Sequence, residues 1–578
     1  MPQYNPFFSG MQTNEQQEEI PPAQSQAYAD FIIRYNYNIN RTQGYVSDVN
    51  FQIISEDFAV LYLPFATIPS LEVSMNTYNA IPKCYTYMDM EALDASGITA
   101  LQNHPYLNLR GRGTLIAVID SGIDYTNPVF REGDRTRILR IWDQSLLGQE
   151  TDMSAVPYGR EFTEEQINEA LASEEPLALV PSVDGNGHGT MVAGVAAGGA
   201  VLEEGFSGAA PEASLLIVKL KPAKDYLRSF YLIPEGADAY QENDIMLAVA
   251  YVLRIARELQ LPMSICIGLG SSQGAHTGEG FLESYLSLVS LRLQNCVAVA
   301  AGNEGNSRNH YQGNINIHNR QDVVELRIDE RERGFIMELW GDSFRDYRFQ
   351  MQSPTGEILP ISTTRGSGLQ TLAFVFVETK IEVSYVPMEA QTGQVLVFFR
   401  FLDPAPGIWK LLVEATGGNN EDYHIWLPVQ GFVSEATYFL RPSPYQTVTN
   451  PGNARNVLTM TAYNIRDRSL YLQASRGYTT TGVVKPDLAA PGVGVLAPLR
   501  NGRFALASGS SVSAAQAAGA AALLLEWGIV RGNEINLNGI IIRNYLRRGA
   551  SRSENMEYPN PEWGYGRMNV YRTLELSP

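Results

Sequence analysis

Three short, glycine-flanked motifs carry the residue types that nucleophilic hydrolysis needs. Asp120 closes the run Thr114-Leu-Ile-Ala-Val-Ile-Asp120-Ser-Gly122, His188 lies in Asp184-Gly-Asn-Gly-His188-Gly-Thr190, and Ser511 lies in Ser508-Gly-Ser-Ser511-Val-Ser-Ala514. In such a set the hydroxyl attacks a carbonyl, and the imidazole takes its proton and later returns it to the leaving group. The carboxylate fixes the imidazole tautomer and stabilises its cation. The tetrahedral intermediate also needs hydrogen-bond donors. Asn303, in Gly302-Asn303-Glu-Gly305, offers a side-chain amide, and the backbone N–H of Ser511 offers a second donor. Gly268-Leu269-Gly270 suits an extended peptide added as a strand, and Ala300, Ala301 and Gly302 would wall the primary specificity pocket with small groups. Singly, each motif reads as an ordinary turn, helix cap or structural histidine; their joint occurrence points to catalysis.

Residues so far apart in sequence must be brought together by the fold. Thr114–Ile119, Leu215–Lys219, Met263–Ile267 and Cys296–Ala300 are near-continuous apolar runs, as in parallel strands covered on both faces. Between them, Asn243 is placed to cap a helix carrying Val249, Val252, Ile255 and Leu259 at helical spacing. Alternation of strand and helix predicts a doubly wound α/β sheet. Asp120 would end a buried strand, where sites of open α/β sheets collect. His188 opens a run of small residues to Gly198. Ser511 precedes Ala514–Trp527, a helix apolar all round and therefore central. A helix N-terminus turns free N–H groups toward developing negative charge.

The flanking regions differ in character. Residues 1 to about 25 are rich in Gln, Glu and Pro and read as disordered, and 28–88 as a small α/β module. From about 311 to 442 the helical pattern stops. Val323–Ile328, Phe335–Trp340, Leu372–Val377, Ile381–Val386, Val395–Leu402 and Trp409–Glu414 read as strands of an inserted all-β domain. After about 445 the α/β pattern returns.

Composition narrows the partners. A net charge of −19 over 578 residues repels phosphate backbones and anionic lipid surfaces. The expected partners are a protein or peptide substrate, with no nucleic acid and no membrane span; the small-apolar run Ala517–Leu525 is too short to cross a bilayer. The polar N-terminus lacks an apolar signal core, so cytoplasmic synthesis is expected. Cys84, Cys266 and Cys296 form no disulfide framework or metal spacing. His104, His276, His310, His318 and His424 lack metal spacing and read as surface or structural, and Asp124 as a turn residue. No cofactor or metal is expected.

The three motifs, Asn303, Gly208-Ala-Ala-Pro211, Lys485-Pro-Asp487 with Ala490-Pro491-Gly492, and Gly564-Tyr-Gly-Arg567 resemble the subtilisin-like serine proteases, whose chain order is likewise Asp, His, Ser. Ser510, Val512 and Ala515 depart from the usual serine motif. Ser511 rather than a neighbouring serine fits it, with Gly509 at minus two. Thr136-Arg-Ile-Leu-Arg-Ile-Trp142-Asp-Gln144, Gly159–Asn168, His424-Ile-Trp426-Leu-Pro428 and Phe31–Tyr35 resemble, more narrowly, the clostridial Csp-type spore-germination proteases. That resemblance implies an N-terminal prodomain (1–88), a catalytic domain in two parts (89–310 and 445–578) and an inserted β jelly-roll (311–444). It also implies self-cleavage within Lys83, Cys84, Tyr85, Thr86, Tyr87, Met88, Asp89 and Met90, with the prodomain staying bound as inhibitor and chaperone. Spore association and activation of a cortex-degrading hydrolase are implied as well. Some Csp-type proteins have lost triad members, so a non-catalytic sensor or scaffold is the alternative; this chain keeps all three.

Overall fold

The computed structural model describes residues 20–35, 50–68, 71–74, 77–87, 96–147, 156–316, 320–344, 346–363, 368–416 and 421–576. Its centre is a sheet of parallel strands in the order Leu488–Pro498, Leu458–Asn464, Asn295–Ala300, Met263–Ile267, Leu115–Asp120, Ser214–Lys219 and Ile138–Asp143. Antiparallel strands, Phe504–Ser508 and Arg160–Thr163, close its edges. Every residue of Leu115–Asp120 and Met263–Ile267 is buried, because helices cover both faces. Ile116 and Val118 join Val192 and Ala518 from the helices His188–Ala197 and Ser510–Leu525. Leu115, Ala117 and Ile119 point the other way, into a cluster with Val249 and Leu286 from the helices Glu242–Leu259 and Phe281–Val289. The two-residue period of a strand thus splits one apolar run between two cores.

The Ser510–Leu525 helix is buried along its whole length. Among the described residues Ser510–Val530 is one segment long and apolar enough to cross a membrane, and it is packed inside the protein. Asn243 does not cap its helix. Gln241 holds the cap position, without a side-chain cap bond, and the Asn243 amide instead donates to Asp30 at 3.1 Å.

Before residue 88 the described residues form a three-stranded antiparallel sheet, Tyr28–Arg34, Phe58–Pro64 and Asn50–Ile53. A 3₁₀ turn, Phe65–Thr67, follows its middle strand, and residues 36–49 lie outside the described residues. Residues 20–25 are ordered, not disordered. Ala23 is buried, and the Gln24 amide donates to the carbonyls of Gln144 and Leu146, so docking overrides the polar composition. The expected disorder of residues 1–19 lies outside the described residues.

The insert is a pair of antiparallel sheets of six and five strands, whose facing sides share Phe335, Phe399, Phe401, Trp409 and Val413. Five of its strands (His310–Ile315, Asp346–Gln352, Ile358–Ile361, Glu421–Trp426 and Tyr438–Phe439) were not foreseen, and the strand expected at Leu372–Val377 ends its pairing at Ala373. The outer side of the six-stranded sheet is apolar too. Trp340, Phe398 and Trp426 pack with Tyr226 and Phe230 of the catalytic region and with Tyr78, Ile81 and Cys84 of the N-terminal region. Three parts of the chain therefore share one core, and none buries its surface alone.

Candidate active site

Asp120 is the last residue of its strand, and the N–H of Ser121 donates to its Oδ1 at 2.8 Å. His188 is the first residue of its helix, entered through Gly187 at φ 93°. His188 Nδ1–H donates to Asp120 Oδ1 at 2.7 Å, and Ser511 Oγ–H lies 3.2 Å from His188 Nε2. With a carboxylate on one nitrogen, the other is left to accept the serine proton. Asp120 and Ser511 are buried, which strengthens each of these polar contacts.

Asp184 holds the two turns together. Its Oδ1 accepts from Ser121 Oγ and Gly187 N–H, and its Oδ2 accepts from the N–H and Oγ of Thr190. Ser121 Oγ in turn accepts from Gly189 N–H at 2.9 Å. Ser510 plays the matching part on the other side. Its hydroxyl accepts from Gly302 N–H at 3.1 Å, and its N–H donates to Asn303 Oδ1 at 3.2 Å. Pinning the carbonyl end of Asn303 leaves its NH₂ group free to donate alongside the first-turn N–H of Ser511. Gly302 adopts φ 102°, where a side chain would be strained and would press on Thr449 and Ser475. Ser510 stood out in the sequence as a departure from the serine motif, and Asp184 as the start of the histidine motif, but neither was assigned this anchoring part. The signal for Asp184 is its place four residues before His188 in the same glycine-rich motif.

Gly268, Leu269 and Gly270 lie beside this cluster. A Cβ on Gly268 would stand 3.0 Å from Ser511 Cβ and 3.1 Å from His188 Cε1. Ala300 and Ala301, also buried, end the neighbouring strand. The Leu269–Gly270 edge is already taken. It pairs antiparallel with Cys84–Tyr87, setting Leu269 opposite Tyr87 and Gly270 opposite Thr86, and Tyr240–Gln241 pairs with the other edge of that segment. Glu242 N–H donates to Lys83 O at 2.9 Å, Lys83 N–H to Glu242 Oε2 at 3.1 Å, and Cys84 N–H to Gln273 Oε1 at 2.9 Å. Of the stretch expected to be processed, Met88, Asp89 and Met90 lie outside the described residues.

Other candidates are set aside by their surroundings. Burial pushes the Cys84 and Cys266 thiols far above their usual range and Cys296 to about 12, so none supplies a thiolate. His276, His310 and His424 are buried rather than on the surface. His276 and His310 stack on Trp426 at 4.2 and 4.8 Å, and His424 lies beside it. Asp124 closes a turn, accepting from Thr126 and from Asn501 N–H. Among the described residues no group of three or more His, Cys, Asp or Glu is arranged to hold a metal ion.

The subtilase family profile (Peptidase S8) matches residues 111–319 and 395–566, more than half of the chain, and the gap falls within the β insert. Among solved structures, the CspB protease of Clostridium perfringens is similar at 32% identity and a TM-score of 0.72, over 83% of this chain and 96% of that one. No curated protein matches. The chain belongs to the subtilase family and is a subtilisin-like serine endopeptidase of the Csp type.

Proposed function

We propose that this endopeptidase cuts itself between Met88 and Asp89 and keeps the released prodomain in its cleft. Ser511 is the nucleophile, His188 the general base and then acid, and Asp120 the group that orients and stabilises the imidazolium. Asn303 Nδ2 and Ser511 N–H receive the oxyanion. The observation that carries this reading is the 3.2 Å approach of Ser511 Oγ to His188 Nε2, with Asp120 on the far nitrogen.

The register of the described residues supports this bond. Thr86 and Tyr87 stand opposite Gly270 and Leu269, so the paired strand runs toward Gly268. Gly268 is the residue whose Cα borders the Ser511 and His188 side chains. That direction supports a cut just beyond Tyr87, and the bond proposed is the one after Met88. Attack gives an acyl-enzyme on Ser511 and frees the amine of Asp89; water, deprotonated by His188, returns the carboxylate of Met88. The product strand keeps its backbone bonds on both edges, which supports retention.

Intact mass after expression tests this. The wild type is expected as two fragments, the larger beginning at Asp89, and Ser511→Ala as one. A wild type that stays whole refutes self-processing and, if a serine-reactive fluorophosphonate probe also fails to label it, favours a scaffold role. The biological role we propose, activation of a cortex-degrading hydrolase zymogen in germinating spores, draws its support from similarity to the CspB protease. Its test is cleavage of such a zymogen by wild type and not by Ser511→Ala.

A further inference from the structure

Upstream of the product strand, Lys83 turns its side chain into a junction between the N-terminal region, the catalytic domain and the β insert. Its Nζ donates to the carbonyls of Tyr78 at 2.8 Å and Ile81 at 3.3 Å and lies 4.4 Å from the centre of the Tyr78 ring. Four carboxyl groups face it electrostatically. Glu242 and Glu283 come from the catalytic domain, Glu338 and Glu389 from the insert, and all four are more than nine-tenths buried.

Most of the carboxyl oxygens are engaged. Glu242 accepts from Lys83 and Leu282 N–H, and Glu389 from the Asn79 amide and the N–H groups of Gln391 and Thr392. Glu338 Oε2 accepts from Tyr78 Oη–H, Gly274 N–H and Trp340 Nε1–H, and Glu283 Oε2 from Gly280 N–H. Glu338 Oε1 and Glu283 Oε1 are buried without a partner. Glu283 lines a cavity of about 20 Å³ together with Lys83, Tyr85, Glu242, Trp340 and Glu389, room for about one water. None of these carboxyls forms an ion pair with the ammonium; they act on it through their field, and its charge offsets part of the cost of burying them. Burial lowers the Lys83 pKa and the four carboxyls oppose that fall; burial also pushes Glu283 up to about 8.

We propose that this pocket is a subsite of the substrate cleft for a lysine side chain at the sixth position before the bond cut, and that the insert completes it through Glu338 and Glu389. The proposal rests on the self-processing reading, in which Lys83 is the first occupant. It gives the insert a part in substrate choice, and it selects protein substrates with a lysine there. The small cavity favours an ammonium over the broader guanidinium of arginine.

Self-processing of the full chain after dilution from denaturant tests it, read by intact mass against time, with the same substitutions in Ser511→Ala reporting folding by tryptophan fluorescence. Lys83→Met is expected to slow cleavage about tenfold or more relative to folding, and Lys83→Glu further, since each removes the positive charge that the four buried carboxyls favour. Adding Glu338→Gln to Lys83→Met should restore most of the rate, a rescue that a purely structural lysine would not give. If the lysine variants fail to fold, Glu338→Gln and Glu389→Gln with Lys83 intact still decide the matter, each expected to slow cleavage severalfold. Unchanged rates in variants that fold, with wild type still cut at Asp89, overturn the subsite and leave the processing reading standing. A wild type cut elsewhere or not at all overturns both.

Discussion

Removing the Asp30 carboxylate should loosen the N-terminal sheet from the catalytic domain more than any other single change in that interface. Asp30 is completely buried. Its Oδ1 accepts from Lys224 Nζ at 2.5 Å, and its Oδ2 from the Gln241 and Asn243 amides at 3.0 and 3.1 Å. In Asp30→Ala the Lys224 ammonium stays buried with two carbonyl acceptors, Pro22 and Tyr28, and both amides lose an acceptor. Breaking one side of a buried pair costs roughly 3–5 kcal/mol; the surviving carbonyls set the loss near the middle, about 4 kcal/mol. Burial already lowers the Lys224 pKa and Asp30 opposes that fall. Without Asp30 the lysine sheds its proton more readily, so the loss should shrink as pH rises toward 10. The assay is denaturant unfolding in a Ser511→Ala background, where no cleavage intervenes. In processed protein the same loss corresponds to prodomain release about a thousandfold easier. Lys224→Met should recover much of the deficit when combined with Asp30→Ala, as a positive coupling in the double-mutant cycle. A loss below about 1 kcal/mol, or strictly additive substitutions, would refute the reasoning.

Two further substitutions probe the oxyanion side. Asn303→Ala should lower kcat by about 10²–10³-fold with folding retained, the range for losing one such donor, for which subtilisin is itself the reference case; a loss under threefold contradicts the assigned role. Ser510→Ala strands the buried Gly302 N–H, so about 1–3 kcal/mol of stability should be lost. Activity should fall as well, because Gly302 and Asn303 share that anchor; unfolding midpoints and peptide turnover measure both, and a stability loss with full turnover would separate the anchor from catalysis.

How much of this was legible in the sequence depended on range. Leu115–Asp120 and Met263–Ile267 were readable because burial on both faces leaves an unbroken apolar run. The strand Asp346–Gln352 escaped notice although Tyr347, Phe349 and Met351 alternate inward, because the polar Arg348 and Gln350 between them dilute a half-buried pattern. Asp120, His188 and Ser511, which the fold brings together, were readable from glycine-flanked motifs, since tight turns force local sequence. The partners that hold them were not. Ser510 reaches Gly302 across 208 residues and Asp30 reaches Lys224 across 194, and no local pattern records such pairings. Asn243 misled for the same reason: a good capping residue was drawn off by a buried carboxylate from the N-terminal sheet.

The insert leaves and rejoins the catalytic domain at nearly one place, Phe439 N–H donating to Arg308 O and Ser443 N–H to His310 O. Close ends are what let a domain be inserted without disturbing its host, yet this one also grips the loop that carries Asn303. Glu304, next to Asn303, accepts from Gln430 N–H at 3.3 Å and from the Asn309 amide at 2.7 Å, and that amide also reaches Pro428 O. Burial pushes Glu304 up to about 7, while hydrogen bonds from Ser307, Gln430 and Asn309 pull the other way. A carboxyl whose folded pKa exceeds its unfolded value of 4.5 adds stability that is complete below 4.5 and lost as pH rises through 7. A rise of this size is worth about 3 kcal/mol. Glu304→Gln mimics the protonated carboxyl and cannot ionise. Wild type and variant should therefore match at pH 4, and by pH 8.5 the wild type should be less stable by up to about 3 kcal/mol, measured by urea unfolding in the Ser511→Ala background. Parallel curves across that range would mean that Glu304 keeps an ordinary pKa, and that the insert braces the Asn303 loop through packing rather than through a shared proton.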